Sequence, residues 1–187
     1  MSDSIQIHNL NNFPDSVPSL AQWHQQEWRG VGRVVPVTRR IQRLRSHLHD
    51  NSLPNTWIAI DGGTLVGSVS LVDYVFQEAQ DTSAWLANLF VIPQYRHRGL
   101  GRRLLQFAQD QANHSDLRRL FLFTPNRRYF YQQQGWYFSH QARVQGDWVD
   151  VMVKQLNPDD GVQCQSRICP HLPSPPPLSP PSQVHTR

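Results

Sequence analysis

The residues Arg96-His97-Arg98-Gly99-Leu100-Gly101 join basic side chains to two glycines in an R-x-x-G-x-G pattern, and Arg102 and Arg103 follow at once. Glycines so placed let backbone N–H groups turn toward a ligand and keep side chains out of its way. A helix opening at this point would add unpaired N–H groups that favour an anion, phosphate above all. The dipole contributes only ~0.3–1 kcal/mol. Several charge-assisted hydrogen bonds, each worth ~1.5–3 kcal/mol, weigh more. The chemistry these residues suit is the holding of a pyrophosphate. Their spacing is neither G-x-x-x-x-G-K-[ST] nor G-x-G-x-x-G, the two common nucleotide loops. A plain strand-to-helix turn carrying a surface basic cluster is the alternative.

The flanking sequence supplies the elements that such a turn needs. Trp85 to Ile92 is an apolar run broken only by Asn88, the pattern of a strand buried on both faces, and Pro93 ends it. Beyond the turn, Leu100, Leu104, Leu105, Ala108 and Ala112 fall on one helical stripe. Upstream, residues 5–10 read as a short strand. A first helix is expected over Val17 to Trp28 with a start at Ser19. A second is expected after a Thr38 cap, with Ile41, Leu44 and Leu48 inside. Arg39, Arg40, Arg43 and Arg45 then decorate its outer faces or meet an acidic ligand. Thr56 to Ile60 and Thr64 to Tyr74 form a hairpin around Asp61-Gly62-Gly63. Arg118 to Thr124 gives a parallel partner strand. Tyr129 to Gln134 is a short helix stopped by Gly135, and Trp136 to Leu156 closes the domain as a hairpin.

Together these elements resemble a known family. Val91-Ile92-Pro93, then R-x-x-G-x-G, between a strand and a helix, is similar to the acetyl-coenzyme A motif of the GNAT N-acetyltransferases. Phe130-Tyr131-Gln132-Gln133-Gln134-Gly135-Trp136 resembles their F-Y-x-x-x-G-F element. The resemblance covers roughly Ile5 to Leu156. It implies an α/β fold: a mixed, mostly antiparallel twisted sheet, helices on both faces, and a central splayed parallel pair. It also implies that acetyl-CoA is the co-substrate. Backbone groups of Leu89, Phe90 and Val91 would hold the pantetheine arm, and amides from His97 to Arg102 (with Arg96, Arg98, Gly99, Leu100 and Gly101 among the cofactor-binding residues) would hold the pyrophosphate. The acceptor would be a primary amine on a small molecule or peptide, attacked directly, with no metal involved.

In this reading Tyr131 matches the family's tyrosine acid and would protonate the departing thiolate. The catalytic candidates are Tyr131 and Asn88. Asn88 stands where many members carry a glutamate base, and an amide accepts no proton at neutral pH. The base is then a water chain, Glu27, Glu78, Asp81 or His24. Thr124 stands where many members carry an asparagine, seven residues before the tyrosine, and Asn126 is five before it. The substitution at Asn88 keeps open a non-catalytic coenzyme A-binding sensor or interaction module.

Composition narrows the setting. The net charge is +4, and Lys154 is the only lysine among 18 basic residues. Arginine forks suit phosphate. No aromatic-basic RNA motif or zinc-finger spacing accompanies them, so nucleic acid is not the expected partner. No apolar run approaches the ~18 residues of a membrane span, no signal peptide is evident, and a cytoplasmic protein is expected. The resemblance also admits a homodimer. Residues 1–156 are read as the catalytic domain. Residues 157–187, rich in proline and serine, are read as a disordered tail. Cys164 and Cys169 both fall there, so neither a core disulfide nor a covalent acyl-cysteine is expected, and with His171 they are not read as a metal site.

Overall fold

Alternating side chains along the middle strands decide what covers each face of the sheet. From β2 (Asn55–Asp61) and β3 (Thr64–Val72), Trp57, Ala59, Val69 and Leu71 enter one apolar core. That core is completed by Leu100, Leu104, Leu105, Ala108 and Ala112 of α3 (Leu100–Asn113), the stripe expected from the sequence. Ile58, on the opposite face, packs with Leu20 and Ala21 of α1 (Val17–Glu27) and Leu44 of α2 (Val37–Arg45). The computed structural model describes residues 5–28, 35–49, 53–73, 83–115, 117–144 and 146–156.

The remaining elements are β1 (Ile5–Asn9), β4 (Ser83–Val91), β5 (Arg119–Thr124), the short α4 (Arg128–Gln132), β6 (Tyr137–Val144) and β7 (Asp147–Gln155). The seven strands lie in the order β1-β2-β3-β4-β5-β7-β6. Every neighbouring pair is antiparallel except β4 and β5, which run parallel at the centre. This is the expected α/β architecture.

Several boundaries differ from the sequence reading, each for a local reason. Helix α1 starts at Val17 rather than Ser19, because Pro18 supplies the φ of a first helical turn and needs no N–H acceptor. Helix α2 follows Pro36, so Thr38 lies inside it and caps nothing. Strand β4 is buried at Ala84, Trp85 and Leu86, but residues 87–91 are only half-buried. They line an opening instead of a core.

Two contacts seat α4 against β7. Arg128 donates from Nε to Asp150 Oδ2 at 2.8 Å and from Nη2 to Oδ1 at 2.7 Å, a two-pronged pair. Lys154 Nζ donates to the Gln134 carbonyl at 2.9 Å, meeting an orphan acceptor just past the helix end. Gly135 turns the chain there with φ +76°, leading into Trp136, which is 2% exposed.

Candidate functional site

The basic turn has the geometry its glycines imply. His97 and Gly99 take positive φ, 60° and 83°, and Gly99 is the residue from which α3 starts. Among the described residues, no backbone carbonyl accepts from the amides of residues 97–102. They form a run of donors at a helix N-terminus, an arrangement that suits an anion such as phosphate. Tyr95 braces the turn by donating to Asp61 Oδ2 at 2.7 Å.

The arginines of the motif divide their work. Arg96 Nε donates to the Val91 carbonyl at 2.8 Å, its Nη2 meets Glu27 Oε2 at 3.2 Å, and its guanidinium lies over the Phe90 ring. Arg103 Nη2 donates to the Ile5 carbonyl at 2.8 Å. Those two hold the fold, while His97, Arg98 and Arg102 are exposed at the turn. Arg102 and Gly99 also border a shallow groove of about 810 Å³ along α3.

Strand β4 carries a bulge in its middle. Opposite β3, Ser68 pairs with Phe90 and Ser70 with Ala87, so β4 holds one residue more than its partner. Asn88 sits at the bulge with φ 54°, a left-handed conformation that asparagine tolerates better than most residues. On its other side β4 pairs with β5 only at Ser83, Ala84 and Trp85. Beyond Trp85 the two strands part. Leu86 to Phe90 from one side and Leu122 to Asn126 from the other then line a cleft of about 660 Å³.

Asn88 is held by a chain of buried side chains on the α1/α2 face. Its Nδ2 donates to Ser70 Oγ at 3.0 Å; Ser70 Oγ bonds Thr56 Oγ1 at 2.8 Å; Thr56 Oγ1 bonds His47 Nδ1 at 2.7 Å. A second chain reaches the Asn88 backbone. Ser68 Oγ donates to the Asn88 carbonyl at 2.9 Å and bonds His24 Nε2 at 3.0 Å. Since the Ser68 proton is committed to that carbonyl, His24 Nε2 is the donor in its own bond. Thr56, Ser68 and Ser70 are each 0% exposed. With Nδ2 engaged, Asn88 keeps its oxygen as the remaining acceptor on the cleft wall.

Both histidines are neutral at physiological pH. Burial, followed by the charges of Arg40 and then His47, takes His24 down to about 3. Burial, followed by His49, takes His47 down to about 4, with Asp73 opposing and Arg43 adding. Neither is a base of useful strength for an ammonium.

Tyr131 closes the cleft from α4, edge-on to Phe130 and Trp136. Burial pushes its phenol up to about 12, against a smaller opposing pull from Arg127. It therefore stays protonated and can donate. Thr124 is 3% exposed and its Oγ1 accepts from the Arg127 amide at 3.0 Å, so it shapes the turn into α4. Asn126 and Trp28 also line the cleft, the latter edge-on to Phe123. Glu78, Asp81 and residues 157–187 lie outside the described residues.

A family model described as Acetyltransferase (GNAT) family matches residues 17–136. The chain belongs to the GNAT acetyltransferase family. Its fold is shared by a putative acetyltransferase from Salmonella typhimurium solved with its cofactor acetyl-CoA. The TM-score is 0.69 at 13% identity, covering 87% of this chain and 100% of that one. N-acetylglutamate synthase from Neisseria gonorrhoeae aligns with TM-score 0.66 and 20% identity over 84% of this chain and 36% of its own. Ribosomal-protein-alanine N-acetyltransferase from Brucella melitensis gives 0.66 and 18%, over 81% and 99%.

As a GNAT acetyltransferase the chain is an acyltransferase, with acetyl-CoA as co-substrate. Among the described residues no cluster of three or more His, Cys, Asp or Glu is disposed to hold a metal. No described helix is long and apolar enough to cross a membrane. What the sequence reading missed is the hydroxyl-histidine chain behind Asn88. Its signal was present: Thr56, Ser68 and Ser70 share one side of two strands whose other side is apolar.

Proposed function

We propose that the protein is an N-acetyltransferase that moves the acetyl group of acetyl-CoA to a primary amine by direct attack. The observation carrying this reading is the parting of β4 from β5 beyond Trp85, which brings Asn88 and Tyr131 to one cleft. Leu89 and Phe90 line that opening where β4 has no ladder partner on its β5 side, and with Val91 they would offer backbone groups to an extended amide-bearing arm. The amides of residues 97–102 receive the pyrophosphate. Arg96 contributes by fixing the end of β4 rather than by touching phosphate.

The acceptor must enter with a neutral nitrogen. An ordinary alkylammonium has pKa ~10.4, so under 1% is neutral at pH 7. His24 and His47 titrate far too low to take that proton, and Glu27 is engaged with Arg96. The proton therefore leaves to water in the cleft. Arg40, Arg43 and Arg127 on the walls disfavour the ammonium form. Asn88 Oδ1 accepts an N–H of the amine and points its lone pair at the thioester carbon. A C–N bond forms and the C–S bond breaks. Tyr131 donates a hydrogen bond to the departing sulphur. Full transfer from a phenol at about 12 to a thiolate of pKa ~8.5 runs uphill. The phenol proton therefore moves only in concert with C–S cleavage, and the acylated nitrogen returns one to it. The products are an amide and the free thiol.

The test is a panel of primary amines with acetyl-CoA, read by thiol release and by mass of the product. Turnover of at least one amine, largely lost in Tyr131→Phe, is the expected result. No thiol release above the no-acceptor rate across the panel would overturn the reading.

A further inference from the structure

Arg40 and Arg43 stand one turn apart on α2, and both line the cleft that holds Asn88 and Tyr131. Arg40 is half-buried; its Nε is enclosed and has no hydrogen-bond partner. Neither guanidinium forms an ion pair with any described residue. Each is close enough to matter to its neighbours: Arg43 opposes the charge on Arg40, Arg40 that on His24, and Arg43 that on His47. Among the described residues, two carboxylates line the same cleft. Glu27 is paired with Arg96, and Asp73 is exposed.

A guanidinium kept half out of water, beside another, with an enclosed N–H unmet, is costly to fold around. Such an arrangement is built for an anion that arrives from outside. The coenzyme's pyrophosphate is not that anion, because its turn opens α3, which packs on the opposite face of the sheet from α2. We propose that the acceptor amine carries a carboxylate, which Arg40 and Arg43 receive. The substrate class is then an amino acid or short peptide acid. A polycationic amine would meet like charge on the cleft wall. This rests on the N-acetyltransferase reading and narrows it.

The test uses the full chain saturated with coenzyme A and compares product-like ligands by calorimetry: N-acetylglycine, N-acetyl-leucine and N-acetylglutamate, each against its primary amide. The free acid of at least one pair should bind about tenfold or more tighter than the amide. Arg40→Gln and Arg43→Gln should erase that ratio while acetyl-CoA affinity and the thermal midpoint hold. Equal binding of acid and amide in every pair would overturn the proposal. So would no binding of any acid below about 10 mM, or loss of acetyl-CoA affinity in Arg40→Gln. A parallel turnover arm compares glycine, leucine and glutamate with their amides and with spermidine. Turnover that favours the amides or spermidine overturns this inference and leaves acetyl transfer intact. Acid-selective binding without turnover of any amine overturns acetyl transfer and leaves the carboxylate site intact.

Discussion

The side-chain amide of Asn88 donates to Ser70 Oγ at 3.0 Å, and in the proposed reaction that one bond decides which end of the amide meets the substrate. Asn88 also sits at φ 54°, so backbone and side chain make separate demands on the position. Glycine satisfies the first and not the second. Asn88→Gly should fold with a near-wild-type thermal midpoint, bind acetyl-CoA within about threefold, and lose about tenfold or more in turnover. Asn88→Ala should lose turnover likewise and also about 1 kcal/mol of stability, because alanine lacks the short polar side chain that lets asparagine tolerate the left-handed backbone. Paired thermal melts and rate measurements check both, and equal stability of the two variants would contradict the assignment.

The neutral histidines link stability to pH. His24 at about 3 and His47 at about 4 are depressed from the ordinary 6.5, so below that value the unfolded chain binds protons that the folded chain refuses. Stability is complete above about pH 7 and falls as pH drops toward 4, by about 1 kcal/mol per pH unit for each histidine below pH ~6. His24→Gln, which retains an N–H for Ser68, should flatten the decline between pH 7 and 5 in chemical denaturation. An unchanged slope would mean that His24 is not held neutral.

Gly67 lies where β3, β4 and α3 meet. A Cβ there would stand 2.9 Å from the Phe90 carbonyl oxygen and 3.0 Å from Leu104 Cδ1. The first of these is backbone and cannot swing aside. Gly67→Ala should cost about 1–3 kcal/mol by overpacking and weaken acetyl-CoA binding, since Phe90 belongs to the strand edge proposed for the pantetheine arm. Retention of full stability and affinity would show that β4 shifts freely.

Tyr131 is expected to act only as its neutral phenol. With its pKa pushed up to about 12, no loss of rate from its ionisation should appear below pH ~11. The rate should instead rise with pH as more acceptor becomes neutral. Tyr131→Phe should cut turnover by about a hundredfold with acetyl-CoA affinity nearly intact, and the rising limb should survive. A falling limb near pH 9–10 in the wild type, absent in Tyr131→Phe, would place the phenol in an ordinary environment.

Much of this architecture is legible in the chain because period and punctuation agree. The stripe from Leu100 to Ala112, the Asp61-Gly62-Gly63 turn and the stop at Gly135 all lie where local chemistry demands. The bulge at Asn88 is not legible, since nothing in Leu86-Ala87-Asn88-Leu89 marks an extra residue until a partner strand is laid beside it. The same holds for His24 and His47, which lie 44 and 9 residues from the hydroxyls they bond. The motif arginine Arg96 is read from the R-x-x-G-x-G pattern and its charge as a cofactor-binding residue. In the fold it also meets Glu27 and the Val91 carbonyl, contacts that only the path of the chain reveals.

The most direct measurement is calorimetric titration of acetyl-CoA into the wild-type chain and into Gly99→Glu. Gly99 has φ 83° and open space where a Cβ would lie. A glutamate there strains the backbone and sets a negative charge among the amides of residues 97–102. Saturable binding by the wild type, weakened about a hundredfold or more in a variant that remains folded, is the predicted result. Equal affinity in the two proteins, or no binding by a folded wild type, would contradict the placement of the coenzyme on this turn.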